Sequence, residues 1–210
     1  MPAPKSDHGD LREACVREAM ELIAADGIEG LSLRQVSRRL GVSHQAPYKH
    51  FASRDHLLAE IVRRAFEAFA TALEERPRRE DPEQDLAELG RAYFRHARDH
   101  ALHYQLMFGT ALPDAEEHPD MTQAARRAYA VLHEAIRALP GRASDEPTAI
   151  AHDSLFVWAA IHGLATILQS CAVDRLGLPE PFVAQAPEHL LVRLGTALGC
   201  GEHGQKPSDE

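Results

Sequence analysis

The stretch LSLRQVSRRLGVSHQAPYKHFASR, Leu31 to Arg54, holds five basic side chains (Arg34, Arg38, Arg39, Lys49, Arg54) and no acid, in a 210-residue chain of formal net charge −9. Ser32 is placed to cap a short helix whose inner face is Leu33, Val36 and Leu40 and which ends at Gly41. Gly41 admits a sharp turn, Val42 packs inward, Ser43 caps the next helix, and small Ser37 lets the two helices cross closely. Pro47 fixes where that second helix begins, at about His44 to Ala46: proline costs roughly 3 kcal/mol in mid-helix, but in the first turn its missing N–H removes little. Two short helices joined by a glycine turn, the second free of acids, form the helix-turn-helix pattern. In that pattern the second helix offers its N-terminal side chains to the major groove of DNA.

Charge elsewhere sharpens the point. Residues 1–64 carry ten Lys/Arg and nine Asp/Glu, which leaves thirteen and twenty-three of the totals 23 and 32 to the rest of the chain. A basic stripe attracts a phosphate backbone, and an acidic remainder repels it and confines binding to one surface. The length allows one good core, or a small module joined to a larger one. A hydrophobic fraction of 44% with 26% charged residues is that of a globular protein. The longest nearly apolar run, Leu155 to Leu168, reads as a buried helix, too short and too interrupted to cross a bilayer, so no membrane partner is expected. Cys15, Cys171 and Cys200 show neither a disulfide framework nor a metal pair. MPAPKSDHGD lacks the apolar core of a signal peptide, and the expected location is the cytoplasm.

Outward from the central stretch the apolar spacing is helical throughout. Leu11, Cys15, Ala19, Leu22 and Ile23 mark a first helix stopped by Gly27; Leu57/Leu58, Ile61/Val62, Ala65, Phe69 and Leu73 mark a long one over 55–75. The charged, proline-containing segment Arg76–Asp81 is the expected domain joint. Asp81, Pro82 and Gln84 then read as the cap, first position and third position of a helix carrying Leu86, Leu89, Tyr93 and Ala97. Further helices are expected at about 101–111, 120–139, 148–174 and 187–199. The fold class is all-α, of about nine helices with no strand. The expected organisation is a disordered tail over 1–9, a helix-turn-helix DNA-binding domain over 10–54, a connecting helix over 55–75, a larger helical domain over 76–200 and a disordered tail over 201–210.

LSLRQVSRRLGVSHQAPYKHFASRDHLLAEIV resembles the DNA-binding domain of TetR-family transcriptional regulators: a helix ending in Gly-Val-Ser, a Tyr-x-His-Phe helix, then a Ser-Lys-Glu-like start to the following helix. The similarity covers residues 10–75, with departures at Ser37, at Gln45-Ala46-Pro47 and at Arg54-Asp55. WAAIHGL, Trp158 to Leu164, with LHYQLMFG, Leu102 to Gly109, is similar to the TetR subgroup named for its Trp-His-Gly signature. The resemblance implies a repressor, a ligand-sensing and dimerisation domain, and a homodimer whose last two long helices form a four-helix interface on a palindromic double-stranded operator. The residues bear on that too: Ile150, Ser154, Val157, Ile161, Leu164, Leu168 and Cys171 form one seam and Leu155, Trp158, His162 and Ala165 another, with Leu190, Leu191, Leu194 and Leu198 on the last helix. A helix apolar on so many sides must be covered on as many.

For DNA, Tyr48, Lys49 and Arg54 with Ser32 and Ser43 are expected on phosphates, and His44, Gln45 and Ala46 on base edges. Pro47 is placed against a thymine methyl, and His50 belongs to the same surface. For a small, largely apolar effector the candidates are Tyr93, His96, Tyr104, Met107, Phe108, Tyr129, His133, Phe156, Trp158 and His162. His96, His100 and His103 have spacings that suit zinc, but the sequence puts no acid or cysteine beside them, so no metal or cofactor is assigned and a metal-sensing regulator stays an alternative. No nucleophile elbow, phosphate loop or supported carboxylate pair appears. No catalytic residue is assigned, and a small helical enzyme is the remaining alternative.

Overall fold

The computed structural model describes residues 8–109, 112–142 and 146–199. The expected tails at 1–7 and 201–210, and Cys200, lie outside the described residues, whereas His8 and Gly9 already belong to the first helix. Among the described residues all regular structure is helical: α1 His8–Asp26, α2 Leu33–Arg39, α3 Arg54–Glu74, α4 Pro82–Asp99, α5 Ala101–Phe108, α6 Pro119–Arg137, α7 Pro147–Gln169, α8 Ala172–Leu176 and α9 Glu180–Ala197, with single 3₁₀ turns at Ile28–Gly30 and Pro47–Lys49. The chain packs as two compact units. One takes the chain up to Phe66 together with Gln105–Ala124, the other Glu67–Tyr104 together with the chain from Ala125 onward. The change of unit falls inside α3, not at the charged break after it.

In the first unit α1 buries Cys15, Ala19, Leu22 and Ile23, and α3 buries Leu57, Leu58, Ile61, Val62 and Ala65. α2 is capped by Ser32, whose hydroxyl oxygen accepts the Gln35 N–H at 3.2 Å. It ends in a Schellman arrangement: Gly41 N–H donates to the Arg38 carbonyl at 3.3 Å and Val42 N–H to the Ser37 carbonyl at 3.1 Å. Gly41 takes φ 66°, which a side chain would strain, so the glycine is a backbone requirement. Between α1 and α3, Glu60 is only 8% exposed and accepts from Arg12 at 2.9 Å, from Arg63 at 2.9 and 3.0 Å and from Arg64 at 2.6 Å. Burial pulls its carboxyl up, but the hydrogen bonds from Arg63, Arg12 and Arg64 outweigh it and hold the group at about 2.

In the second unit the segment after α3 is pinned. Arg76, buried, donates to the Leu73 carbonyl at 2.7 Å and to Asp85 at 2.5 Å, and Asp85 also accepts the Arg79 N–H at 3.1 Å. α4 opens as expected, with Asp81 accepting the Glu83 N–H at 3.0 Å and Pro82 in the first position. α4, α7 and α9 pack together, closely enough at Gly90 that an added Cβ would lie 2.2 Å from Leu191 Cδ2. Two helix boundaries differ from expectation. α7 stops at Gln169, because Ser170 turns extended and its hydroxyl donates to the Ile167 carbonyl at 2.8 Å, so residues 172–176 form a separate helix. α9 begins seven residues early and carries Pro187 inside it, since one missing amide is tolerated where neighbouring turns hold.

α7 also corrects the reading of its apolar run. The helix spans 23 residues and contains an 18-residue window of mean hydropathy 1.3, long and apolar enough by length and composition to cross a membrane. It is not the fully buried helix expected: Ile150, Ser154, Val157, Ile161 and Ala165 face the unit's core, while Leu155, Phe156 and Ile167 are exposed.

Candidate functional site

The segment after Gly41 is wound more tightly than expected. Instead of an α-helix from about His44, it makes a hydrogen-bonded turn over 44–46 and one 3₁₀ turn, Pro47–Lys49. Pro47 has no N–H to give the Ser43 carbonyl four residues back, so that oxygen accepts the Ala46 N–H at 2.9 Å and the turn closes three residues apart. The Pro47 carbonyl then takes the N–H groups of His50 and Phe51, both at 3.0 Å. Ser43 does not cap the turn; its cap position is Ala46, and no side chain serves it.

This winding sorts the expected contacts. Ser43, His44, Gln45, Tyr48 and Lys49 are exposed, Ala46 and His50 half-buried, and the His44 and Tyr48 rings lie 5.5 Å apart. Two of the expected side chains are engaged in the fold. Pro47 is fully buried, so its ring anchors the turn and cannot meet a thymine methyl. Arg54 is committed to the fold: it donates to the Leu31 carbonyl at 3.1 Å and the Ile28 carbonyl at 2.8 Å, and its other nitrogen meets Asp55 at 3.3 Å. Ser32 spends its hydroxyl on the cap of α2. The buried anchor is completed by Phe51, with the Arg12 guanidinium 5.4 Å over its ring. What the sequence candidates missed is α2 itself: Arg34 and Arg38 are exposed and pair with no carboxylate among the described residues, whereas Arg39 meets Glu18 at 3.0 Å. Their signal was present in the acid-free run. The exposed surface is therefore basic and polar, with no acid between Leu31 and Arg54, which is what a phosphate backbone attracts.

The effector candidates scatter. Tyr93, Tyr104 and His162 meet in the second unit: the two hydroxyls are 3.0 Å apart and the Tyr104 hydroxyl is 2.7 Å from His162 Nδ1. Burial raises both phenols, Tyr104 to about 12, and burial lowers the imidazole, so the cluster is uncharged at neutral pH. Trp158 lies 6.3 Å from His162 and 6.1 Å from Tyr129, itself 6.1 Å from His133; Tyr129 and Phe156 are exposed. Met107 and Phe108 belong to the first unit, where Phe108 packs edge-on at 5.6 Å against Phe66. The His96 ring lies 4.6 Å from that of His100 at a 40° tilt, is buried with Nε2 unpartnered, and is lowered to about 4 by burial and then by His100 and His103. Among the described residues no group of three or more His, Cys, Asp or Glu is arranged to hold a metal. A cavity of about 410 Å³ opens between α4, α7 and α9, and none of the ten candidates lines it.

A helix-turn-helix scaffold that presents a basic, acid-free surface defines a DNA-binding transcriptional regulator. Residues 16–61 match the family described as bacterial regulatory proteins, tetR family, and residues 86–194 the tetracyclin repressor-like C-terminal domain. The chain belongs to the TetR family, whose members are transcriptional regulators and not enzymes. The C-terminal match does not single out the Trp-His-Gly subgroup. Over 88 residues the chain is 34% identical to the HTH-type transcriptional regulator TcmR of Streptomyces glaucescens, a match spanning 42% of this chain and only 39% of that relative. Its fold is similar to that of a Rhodococcus sp. RHA1 protein of unknown function, 27% identical with TM-score 0.70 over 91% of this chain and 98% of that one. A TetR family transcriptional regulator PfmR from Thermus thermophilus shares the fold at 20% identity, with TM-score 0.63 over 90% and 99% of the two chains.

Proposed function

We propose that the protein is a repressor that binds a palindromic operator as a homodimer and leaves it when a small, largely apolar molecule binds the second unit. The observation that carries this reading is the contrast of surfaces: an exposed polar and basic turn in the first unit, and in the second exposed Leu155 and Phe156 on α7 with Phe182 and Val192 on α9, 64% and 61% accessible. Apolar side chains this open on two neighbouring helices suit a partner copy more than water. On DNA, Arg34, Arg38, Lys49 and Tyr48 with Ser43 hold phosphates, and His44, Gln45 and Ala46 face base edges. The protein acts where the chromosome is, in the cytoplasm.

Sedimentation and fluorescence anisotropy test this together. The wild-type chain sediments as a dimer and binds a selected duplex in a salt-dependent way, while Leu155→Glu with Phe156→Glu gives a folded monomer that has lost the operator. A wild-type monomer, or duplex binding insensitive to salt, would contradict the reading.

A further inference from the structure

The Tyr93–Tyr104–His162 cluster is a poor receptor, because its polar atoms already satisfy one another. The open space lies elsewhere. The cavity between α4, α7 and α9 is about 410 Å³, within the roughly 300–1,000 Å³ of small-molecule sites. Leu86, Val157, Ile161, Leu191 and Leu194 supply buried apolar walls. The charged lining consists of Asp81, Glu83 and Glu188 against the single guanidinium of Arg91.

That guanidinium is taken. Arg91 donates to Glu188 at 2.5 and 3.0 Å and lies 3.4 Å from Glu88, and the first-turn N–H of Glu83 is held by Asp81. An anion entering here would have to break an ion pair and face the remaining carboxylates. Glu188 is spent on Arg91, but Asp81 and Glu83 pair with no guanidinium or ammonium among the described residues, so a cation meets two unpaired carboxylates while its hydrocarbon body displaces water from the leucine walls.

We propose that this cavity binds a small amphiphilic cation, with its apolar body on Leu86, Leu191 and Leu194 and its charge at Asp81 and Glu83. The proposal rests on the effector-release reading and gives it a site and a ligand class. Contact with the first turns of α4 also gives it an output within the unit. Asp85, one turn on, is tied to Arg76 and through it to the last turn of α3. A ligand that prefers one position of α4 therefore biases α3.

Tetraphenylphosphonium and tetraphenylborate share shape and differ in sign, so calorimetric titration of the full-length protein with each isolates the charge preference. The phosphonium is expected to bind about tenfold tighter than the borate, the size of two partly exposed charge contacts. Asp81→Asn with Glu83→Gln removes that preference. Ala87→Trp fills the cavity and abolishes phosphonium binding with operator affinity retained; if that variant does not fold, Gln84→Trp obstructs the α4 wall to the same effect. Equal affinity for the two ions, or phosphonium binding that survives the filling variant, overturns the site. A filling variant that dissociates the dimer and leaves phosphonium binding intact makes the cavity a seat for a second copy and overturns it equally. Phosphonium binding that shows all these dependences but leaves the operator bound keeps the site and refutes effector release, a failure separate from that of operator binding or dimerisation.

Discussion

The two units are built around arginine–carboxylate clusters that differ in what they bury. In the first only the acid, Glu60, is buried and the arginines around it reach the surface; in the second the arginine Arg76 is buried together with its acid Asp85, which is also held by the more exposed Arg78 at 3.1 Å. Their surfaces differ more. The first ends in a polar, basic turn at ease in water and attractive to phosphate, while the second leaves leucine, phenylalanine and valine in the open. On the proposed reading one unit is complete as it stands and meets a polyanion, while the other is completed by a second apolar surface.

The largest break in this comparison is expected at Glu60. Glu60→Ala leaves three arginines facing one another without their acid and costs about 3–5 kcal/mol, as for a buried ion pair deprived of one partner. Urea unfolding followed by circular dichroism reads the loss. Acid does the same in the wild type: because the folded carboxyl is held at about 2 against an ordinary 4.5, its stabilisation is complete above 4.5 and lost as pH falls through about 2. Arg54→Ala removes the ties to Ile28 and Leu31 and costs roughly 1.5–3 kcal/mol of stability, the range of hydrogen bonds from a charged donor. The slope of operator affinity against salt stays as in the wild type, whereas Lys49→Ala lowers that slope by about one. A reduced slope in Arg54→Ala would return that residue to the phosphates.

Gly41→Ala is expected to cost about 1 kcal/mol, the strain of a side chain at a left-handed position. Smallest is a pH effect in the second unit. His96 is lowered from 6.5 to about 4, so the folded state favours the neutral ring, and stability present above 6.5 declines as pH falls toward 4. In His96→Phe that part of the decline disappears, which thermal melts at stepped pH detect.

What could be read in the sequence was whatever the backbone alone decides. Gly27 and Gly41 end helices because they take positive φ, Ser32 and Asp81 start them because a short side chain reaches the first free N–H groups, and none of this needs a distant partner. Pro47 shows the limit. Its missing amide was foreseeable, but whether it opened an α-helix or collapsed the segment to one 3₁₀ turn depended on its burial, which local pattern does not contain. The ties of Arg54 and Glu60 were passed over for a related reason: the Leu31 carbonyl that Arg54 holds lies 23 residues away in sequence, and Arg12, which reaches Glu60 from α1, lies 48 away. Aromatic residues of the second unit were gathered as an effector site on type alone. The packing instead used Tyr93, Tyr104 and His162 to satisfy one another and left the open volume beside leucines.

Selection of duplexes from a random pool by the purified full-length chain tests the central claim most directly, because it asks at once whether the basic turn reads DNA and whether the apolar faces pair two copies. The predicted result is enrichment of an inverted repeat whose half-site centres are separated by about one helical turn, roughly 10 base pairs, or a whole multiple of it. Enrichment of a single unrepeated half-site, or no enrichment over the starting pool, would contradict it.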